Sequence, residues 1–250
     1  MFGRLKKLIK TAVGDKSGAV SMSEKNLLNQ NYNHDLTVKN KSTLKLNGQI
    51  IPWYTYPAIE YLNQYDFKGK KIFEWGSGNS SSFFAEKGVK KITSIEHDRS
   101  WYEKVKAELK SNQELIYSNL TEYPDQIKKY SERFDVIIID GQRRFDCAKT
   151  AMGMLNDGGM IILDNSDWFY KSAELLKEKL NLIQVDFHGF GPINNYTWTT
   201  SVLLSRNFNF KTLNARQPAN AIGGLMHDEI DIIKNDDLLF NTKNSDEISI

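Results

Sequence analysis

Apolar positions along the chain fall into two kinds of run. Short, nearly continuous apolar stretches recur from residue 71, each followed by a stretch in which apolar residues return every three or four positions. The first kind predicts strands at 71–75, 91–96, 114–118, 134–140 and 159–164; the second predicts helices near 80–87, 99–110, 122–130, 143–155 and 167–180. The stretch FDVIII, Phe134 to Ile139, is β-branched through most of its length, as a central parallel strand buried on both faces requires. Alternating strands and helices imply a doubly wound α/β sheet. The rhythm changes after Asn181. Leu182 to His188 and Thr199 to Leu204 read as strands, and the ten residues between them are too few for a crossover helix, so the two run antiparallel. The expectation is a mainly parallel, seven-stranded sheet closed by an antiparallel C-terminal hairpin.

The flanks read differently. Residues 2–13 put Phe2, Leu5, Leu8, Ile9 and Ala12 on one helical face, with Arg4, Lys6, Lys7 and Lys10 elsewhere. Such a helix either makes peripheral contact with an anionic membrane or docks on its own domain or a neighbouring copy, which would make a homo-oligomer. Residues 14–48 lack periodicity and read as linker. The aromatic stretch Pro52 to Tyr65 has two readings, a cover over a ligand site or plain packing. Residues 207–250 form an Asn- and Asp-rich extension of no assigned role. The expected domains are therefore 1–48, 49–206 and 207–250.

Composition narrows the class. The 250 residues carry a net charge of +2, so no global field recommends a nucleic acid partner. A lone cysteine, Cys147, excludes an intramolecular disulfide and a cysteine-cluster metal site and suits a reducing, cytoplasmic setting. No apolar run reaches the roughly 18 residues of a membrane span.

Candidate chemistry gathers at the turn after the first strand, KIFEWGSGNSSS. Strand, glycine turn and helix start form the place where an α/β sheet binds a nucleotide-like ligand. Gly76 and Gly78 permit the sharp turn, and Glu96, twenty residues past Gly76, ends the second apolar run where it can accept from ribose hydroxyls. A bare turn between two elements is the competing reading. Glu74 precedes the first glycine, and Ser81 stands where a pyrophosphate-binding fingerprint has its third.

With these features and the hairpin ending, the chain resembles the class I S-adenosylmethionine-dependent methyltransferases, over roughly residues 50–206. The runs DGQRRFDCA, GGMIILDNSDW and GFGPINNYTWTTS resemble a bacterial branch of that family. The resemblance implies a Rossmann-like methyltransferase fold and an S-adenosylmethionine site at Glu74, Gly76, Ser77, Gly78, Asn79, Glu96, His97, Asn119 and Asp140. The acceptor is expected to be a small molecule or glycan, methylated on a hydroxyl. The competing readings are a binding or assembly protein on the same fold and an NAD-dependent oxidoreductase. Asp140, Asp164 and His188, each just past or at the end of a strand, are the candidate catalytic groups. Asp140 with Asp164-Asn165 also resembles the cation site of the catechol O-methyltransferase type, which implies Mg²⁺ or Ca²⁺ on three oxygen ligands; helix capping is the alternative for Asp164-Asn165. Arg143, Arg144, Tyr196 and Trp198 are the candidate acceptor contacts, with a solvated helix start as the alternative for the two arginines.

Overall fold

The computed structural model describes residues 27–43, 47–214 and 221–224. The basic segment 2–13 lies outside them, as does most of the C-terminal extension. The chain divides into two units, Met1–Ala219 and Asn220–Ile250; in the second, the described residues form one turn closed by Gly224 N–H on the Ala221 carbonyl, 3.0 Å.

Seven strands build the first unit: β1 (Lys71–Trp75), β2 (Lys91–Glu96), β3 (Gln113–Tyr117), β4 (Phe134–Ile139), β5 (Leu155–Leu163), β6 (Ile183–Gly189) and β7 (Trp198–Leu204). Their order is β3-β2-β1-β4-β5-β7-β6, parallel except for β7, which runs antiparallel to both β5 and β6. This is the doubly wound, mainly parallel sheet with an antiparallel C-terminal hairpin that the strand rhythm and the short β6–β7 connection predict. The expected helices are present, shortened, and the stretch 122–130 is a 3-10 helix, Tyr123–Lys129, whose Pro124 suits a first turn.

The continuous apolar runs are explained by burial on both faces. Ile72, Val136, Ile138 and Ile162 enter one core, against the helices Tyr56–Asn63 and Asn79–Glu86; Phe73, Ile137, Ile139 and Leu163 enter the other, against Tyr123–Lys129, Arg144–Ala151 and Tyr170–Leu180. Cys147 lies in the second core, fully buried, so it is packing. No helix among the described residues is long and apolar enough to cross a membrane.

Two flanking segments depart from the expected linker and extension. Residues 34–43 contain a helix, His34–Asn40, whose buried His34 meets Tyr56 Oη at 3.0 Å. Phe208 and Phe210 stack with ring centres 4.9 Å apart, and Phe210 is buried in the first core, so the folded unit extends past 206. The periodicity of seven-residue pieces is too short to distinguish them from polar loop.

The carboxyl end of the sheet is fixed at one close approach. Trp75 carbonyl accepts from Asp140 N–H (3.1 Å) and Gly141 N–H (2.7 Å), which draws the β4 turn onto the β1 turn. Gly76 has φ +96°, and a Cβ there would lie 2.8 Å from Gly141 N. Gly76→Ala is therefore expected to cost about 1–3 kcal/mol, from left-handed strain plus displacement of the β4 turn. Gly78→Ala, whose Cβ would meet only Trp101 at 3.6 Å, is the neutral control. Denaturant melts of the two variants check this; equal midpoints would show that the two turns are not locked together.

Candidate functional site

Glu74 is the base of the site. It is fully buried in β1, beside Ser94 in the register of β2. Three hydroxyls donate to it: Ser80 and Ser81 from the first turn of the following helix, and Ser94 at 2.6 Å. Ser81 Oγ also accepts from Gly78 N–H at 3.1 Å. The serine run after the glycines thus serves to satisfy a carboxyl taken out of water. Burial pushes the Glu74 carboxyl up to about 7, against the three hydroxyls, which favour its charged form.

Glu96, at the end of β2, is nearly as buried. Its Oε1 accepts from His97 and Asp98 N–H, each at 2.8 Å, and its Oε2 from Ser77 N–H (3.2 Å) and Ser77 Oγ (3.1 Å). Glu96 therefore ties β2 to the glycine turn through Ser77, and a ribose reaching it must share or replace the Ser77 contacts. Asp98 caps the next helix by accepting from Trp101 N–H at 2.8 Å, which places the Trp101 indole over the turn, with Nε1 on the Ser77 carbonyl at 2.7 Å.

The cleft above these acids has two lobes that share Trp53, Ser77 and Asp140. The first, about 320 Å³, is lined by Gly78, Asn79, Trp101 and the exposed Lys41; the second, about 310 Å³, by Arg144, Asp164, Asn165, Trp168, Asn194 and Tyr196. The segment 34–43 borders the first lobe: Thr43 bonds Asn79, and Thr37 Oγ1 accepts from Ile193 N–H at 3.1 Å. That bond holds Ile193 at φ 75°, a strained conformation for a β-branched residue, in the β6–β7 loop that carries Asn194 and Tyr196.

Arg144 decides the chemistry of the second lobe. It is 9% exposed and bridges the ends of β4 and β5. Its Nε donates to Gly141 carbonyl (2.9 Å), Nη2 to Asp140 carbonyl (2.5 Å) and Asp140 Oδ1 (3.1 Å), and Nη1 to Asp164 carbonyl and to Asn165 Oδ1 (3.1 Å). Phe169 stacks on the guanidinium at 4.6 Å. Asp164 turns Oδ1 the other way, accepting from Trp198 Nε1 (3.0 Å) and Thr200 Oγ1 (2.6 Å). Burial, with Asp140 nearby, pushes the Asp164 carboxyl up to about 8; burial also raises Asp140, opposed by Arg144.

This arrangement corrects several sequence expectations. Asp140, Asp164 and Asn165 do converge, but the cation among them is a guanidinium, and no group of three His, Cys, Asp or Glu side chains placed to hold a metal occurs among the described residues. The residues present do not fit a divalent ion. Arg144 is not an acceptor clamp, and Arg143 is engaged with Leu120 carbonyl (2.8 Å), Thr121 carbonyl (3.2 Å) and Asp146. Trp198 is buried beneath the lobe as a donor to Asp164. His188 lies at the sheet edge, Nδ1 2.6 Å from Thr199 Oγ1, in a separate cavity of about 360 Å³ against the helix Tyr170–Leu180 that shares no residue with the cleft. His97 and Asn119 line neither lobe; Asn119 is exposed and accepts from Glu122 N–H at 3.0 Å in the turn before the 3-10 helix. Tyr196, Gly76, Ser77, Gly78, Asn79 and Asp140 do line the cleft.

Tyr54 is the residue the sequence concealed. Its ring is fully buried, its hydroxyl lies near Glu74, Asp140 and Asp164, and no hydrogen-bond partner meets it. Tyr54 lines neither lobe, so its hydroxyl is a polar group enclosed beside these acids beneath the cleft. The stretch Pro52 to Tyr65 carried the signal, since both of its readings hold: Trp53 is a lip of the cleft, while Tyr54, Tyr56, Ile59 and Leu62 are core.

No protein-family profile and no curated protein sequence matches the chain. Solved structures are similar in fold at low identity. A Streptococcus mutans protein described as an S-adenosylmethionine-dependent methyltransferase is 17% identical with TM-score 0.45, over 55% of this chain and 45% of that one, so the likeness spans less than half of that relative. The O-methyltransferase of tomaymycin synthesis from Streptomyces achromogenes, solved with S-adenosylmethionine, is 16% identical with TM-score 0.46, over 59% of this chain and 77% of its own. Spermidine synthase from Thermotoga maritima is 15% identical with TM-score 0.47, over 62% of this chain and 63% of its own.

Two measurements test the site as built. Arg144→Lys keeps the charge but loses the planar fork, and Arg144→Met leaves Asp140 uncompensated; stability losses of about 3–5 kcal/mol are expected for the methionine variant and less for lysine, read from denaturant melts. The pH dependence follows from the raised carboxyls. The native state keeps protons on Glu74 and Asp164 that the unfolded chain has released, so their stabilisation is full below about pH 4 and is lost as pH rises through 7 to 8. The melting temperature is expected to fall over that interval, and Glu74→Gln to make the fall shallower; an unchanged slope would mean that Glu74 ionises normally.

Proposed function

We propose that the chain is an S-adenosylmethionine-dependent methyltransferase that passes a methyl group to a hydroxyl of a small molecule or sugar. The observation that carries this is the ring of acids at the carboxyl ends of four strands around the glycine turn: Asp140 and Asp164 line the cleft, Glu74 and Glu96 are buried behind its lining residues Ser80 and Ser77, and among the described residues Arg144 is the buried cation beside them. Such an acidic site suits a ligand with a sulfonium and an ammonium and opposes the pyrophosphate of NAD, for which Lys41 at the rim is the open cation among the described lining residues. The space beside Gly78 in the first lobe fits the same ligand.

S-adenosylmethionine, when bound, supplies a methyl made electrophilic by its sulfonium. The chain supplies position and a proton acceptor. Gly78 admits the ligand to the first lobe and Gly76 lines the second, and Glu96 receives ribose hydroxyls as Ser77 yields. Asp140 lines both lobes, so it stands where an acceptor hydroxyl meets the methyl. Asp140 takes the hydroxyl proton as the oxygen–carbon bond forms and the carbon–sulfur bond breaks, its electron pair remaining on sulfur.

A second reading, a binding protein on this fold, draws on Glu96, both of whose oxygens are engaged by protein donors. Calorimetry with S-adenosylhomocysteine and with NAD separates the readings. The methyltransferase reading expects the first to bind and the second not. Glu96→Ala should weaken binding by about 1.5–3 kcal/mol. S-adenosylmethionine itself should release protons on binding near pH 7, as its positive charge ionises the raised carboxyls; heats in buffers of different ionisation enthalpy read this. NAD binding, or no ligand heat at all, refutes the assignment.

A further inference from the structure

The second lobe carries a chemical signature of its own. Among the described residues its lining contains three aromatic side chains, Trp53, Trp168 and Tyr196, and no aliphatic side chain. The aromatics are 46%, 58% and 49% exposed, unusually open for residues of this size. Trp168 and Tyr196 lie nearly parallel, ring centres 6.3 Å apart at 29°, and Tyr196 is braced edge-on by the buried Trp198 at 6.0 Å. The platform is therefore fixed from beneath. Two amides, Asn165 and Asn194, line the lobe with the rings and the acids. Asn165 is at φ 49° with its oxygen on Arg144, which leaves its NH₂ toward other acceptors; Asn194 follows the strained Ile193.

We propose that this lobe binds a sugar ring, stacked by its C–H face on Trp168 and Tyr196 with its hydroxyls on Asn165, Asn194 and Asp140. The assignment rests on the methyltransferase reading for the reaction, but not for the binding. A pyranose presents one weakly polar C–H face and a girdle of hydroxyls that both donate and accept. Flat aromatic faces match the first and planar amides the second. A phenol or a lipid would be met by aliphatic walls, which are absent from this lining. An amine is the competing occupant, because Asp140 and Asp164 line the lobe with the rings; Asp140 is already ion-paired with Arg144 and Asp164 already accepts from Trp198 and Thr200, which favours the neutral ring. The two arginines near the lobe are engaged with protein partners, so the lobe offers no guanidinium to a diphosphate, and the ring is expected from a glycan or glycoside end rather than from a nucleotide sugar.

Saturation-transfer NMR on the full chain tests this directly. The probes are methyl glycosides of common hexoses and deoxyhexoses, a di- or trisaccharide of each, the corresponding nucleotide sugars, 4-methylcatechol and spermidine, each with and without S-adenosylhomocysteine. At least one glycoside or oligosaccharide is expected to bind, with transfer strongest at the ring C–H protons of one face. Trp168→Ala and Tyr196→Ala alter exposed residues and should fold; each is expected to lower that affinity at least tenfold while leaving S-adenosylhomocysteine affinity within twofold. Preference for nucleotide sugars over glycosides that survives both variants refutes the proposed source and platform. Silence across the sugars, or catechol or spermidine binding in their place, refutes the sugar lobe. Failure of S-adenosylhomocysteine to bind while sugars do would refute the methyltransferase reading alone.

Discussion

A carboxyl buried at the end of a central strand must be given donors or be neutralised, and this requirement shapes the cleft. Glu74 faces into the sheet end, and the donors come from Ser80, Ser81 and Ser94. The first two open the helix after the glycine turn, so satisfying the acid also sets where that helix begins. Ser81 in turn holds Gly78 N–H. The glycine turn, the helix start and β2 are thereby referenced to one side chain, and the first lobe lies beside the turn it fixes. An alanine at any of the three serines would leave a buried acceptor short of a partner.

Much of this was legible in the sequence. Strand positions followed from apolar runs, because a strand covered on both faces has no polar side to obscure it. The antiparallel ending followed from loop length alone. Glu74, Gly76, Ser77, Gly78 and Asp140 could be placed because a strand end and a turn fix side-chain positions within a residue or two. The failures share a physical cause. Arg144, Trp198 and His188 were read from proximity to a strand end, yet what decides their roles is which way each side chain leaves the backbone and which partner reaches it first. Arg144 folds back over five acceptors; Trp198 turns toward Asp164 at the end of β5; His188 points from β6 to Thr199 on β7. Linear spacing does not encode these choices. Tyr54 and Trp101 were hidden for another reason, since an aromatic residue in a helix or before a strand looks like core whether or not its polar atom is satisfied.

The two lobes are made by different parts of the chain. Strand ends supply the floor common to the fold, whereas segment 34–43, Trp53 and the β6–β7 loop supply the walls. The walls are joined to each other through Thr37 and Ile193, across more than 150 residues of sequence. A fragment cut at the apparent start of the sheet would keep the floor and lose a wall, so the ordered region before β1 belongs to the site as much as the glycine turn does.

Arg144 has a consequence that reaches beyond geometry. A cation bridging two strand ends can be an ion drawn from solution or a side chain carried by the polypeptide. An ion exchanges with its pool, competes with other ions, and leaves the rim vacant when scarce. A guanidinium, charged at every pH the protein meets, is installed once, during synthesis, and never dissociates. The rim of β4 and β5 is thus insulated from the supply of divalent cations around it, and its shape is inherited rather than acquired.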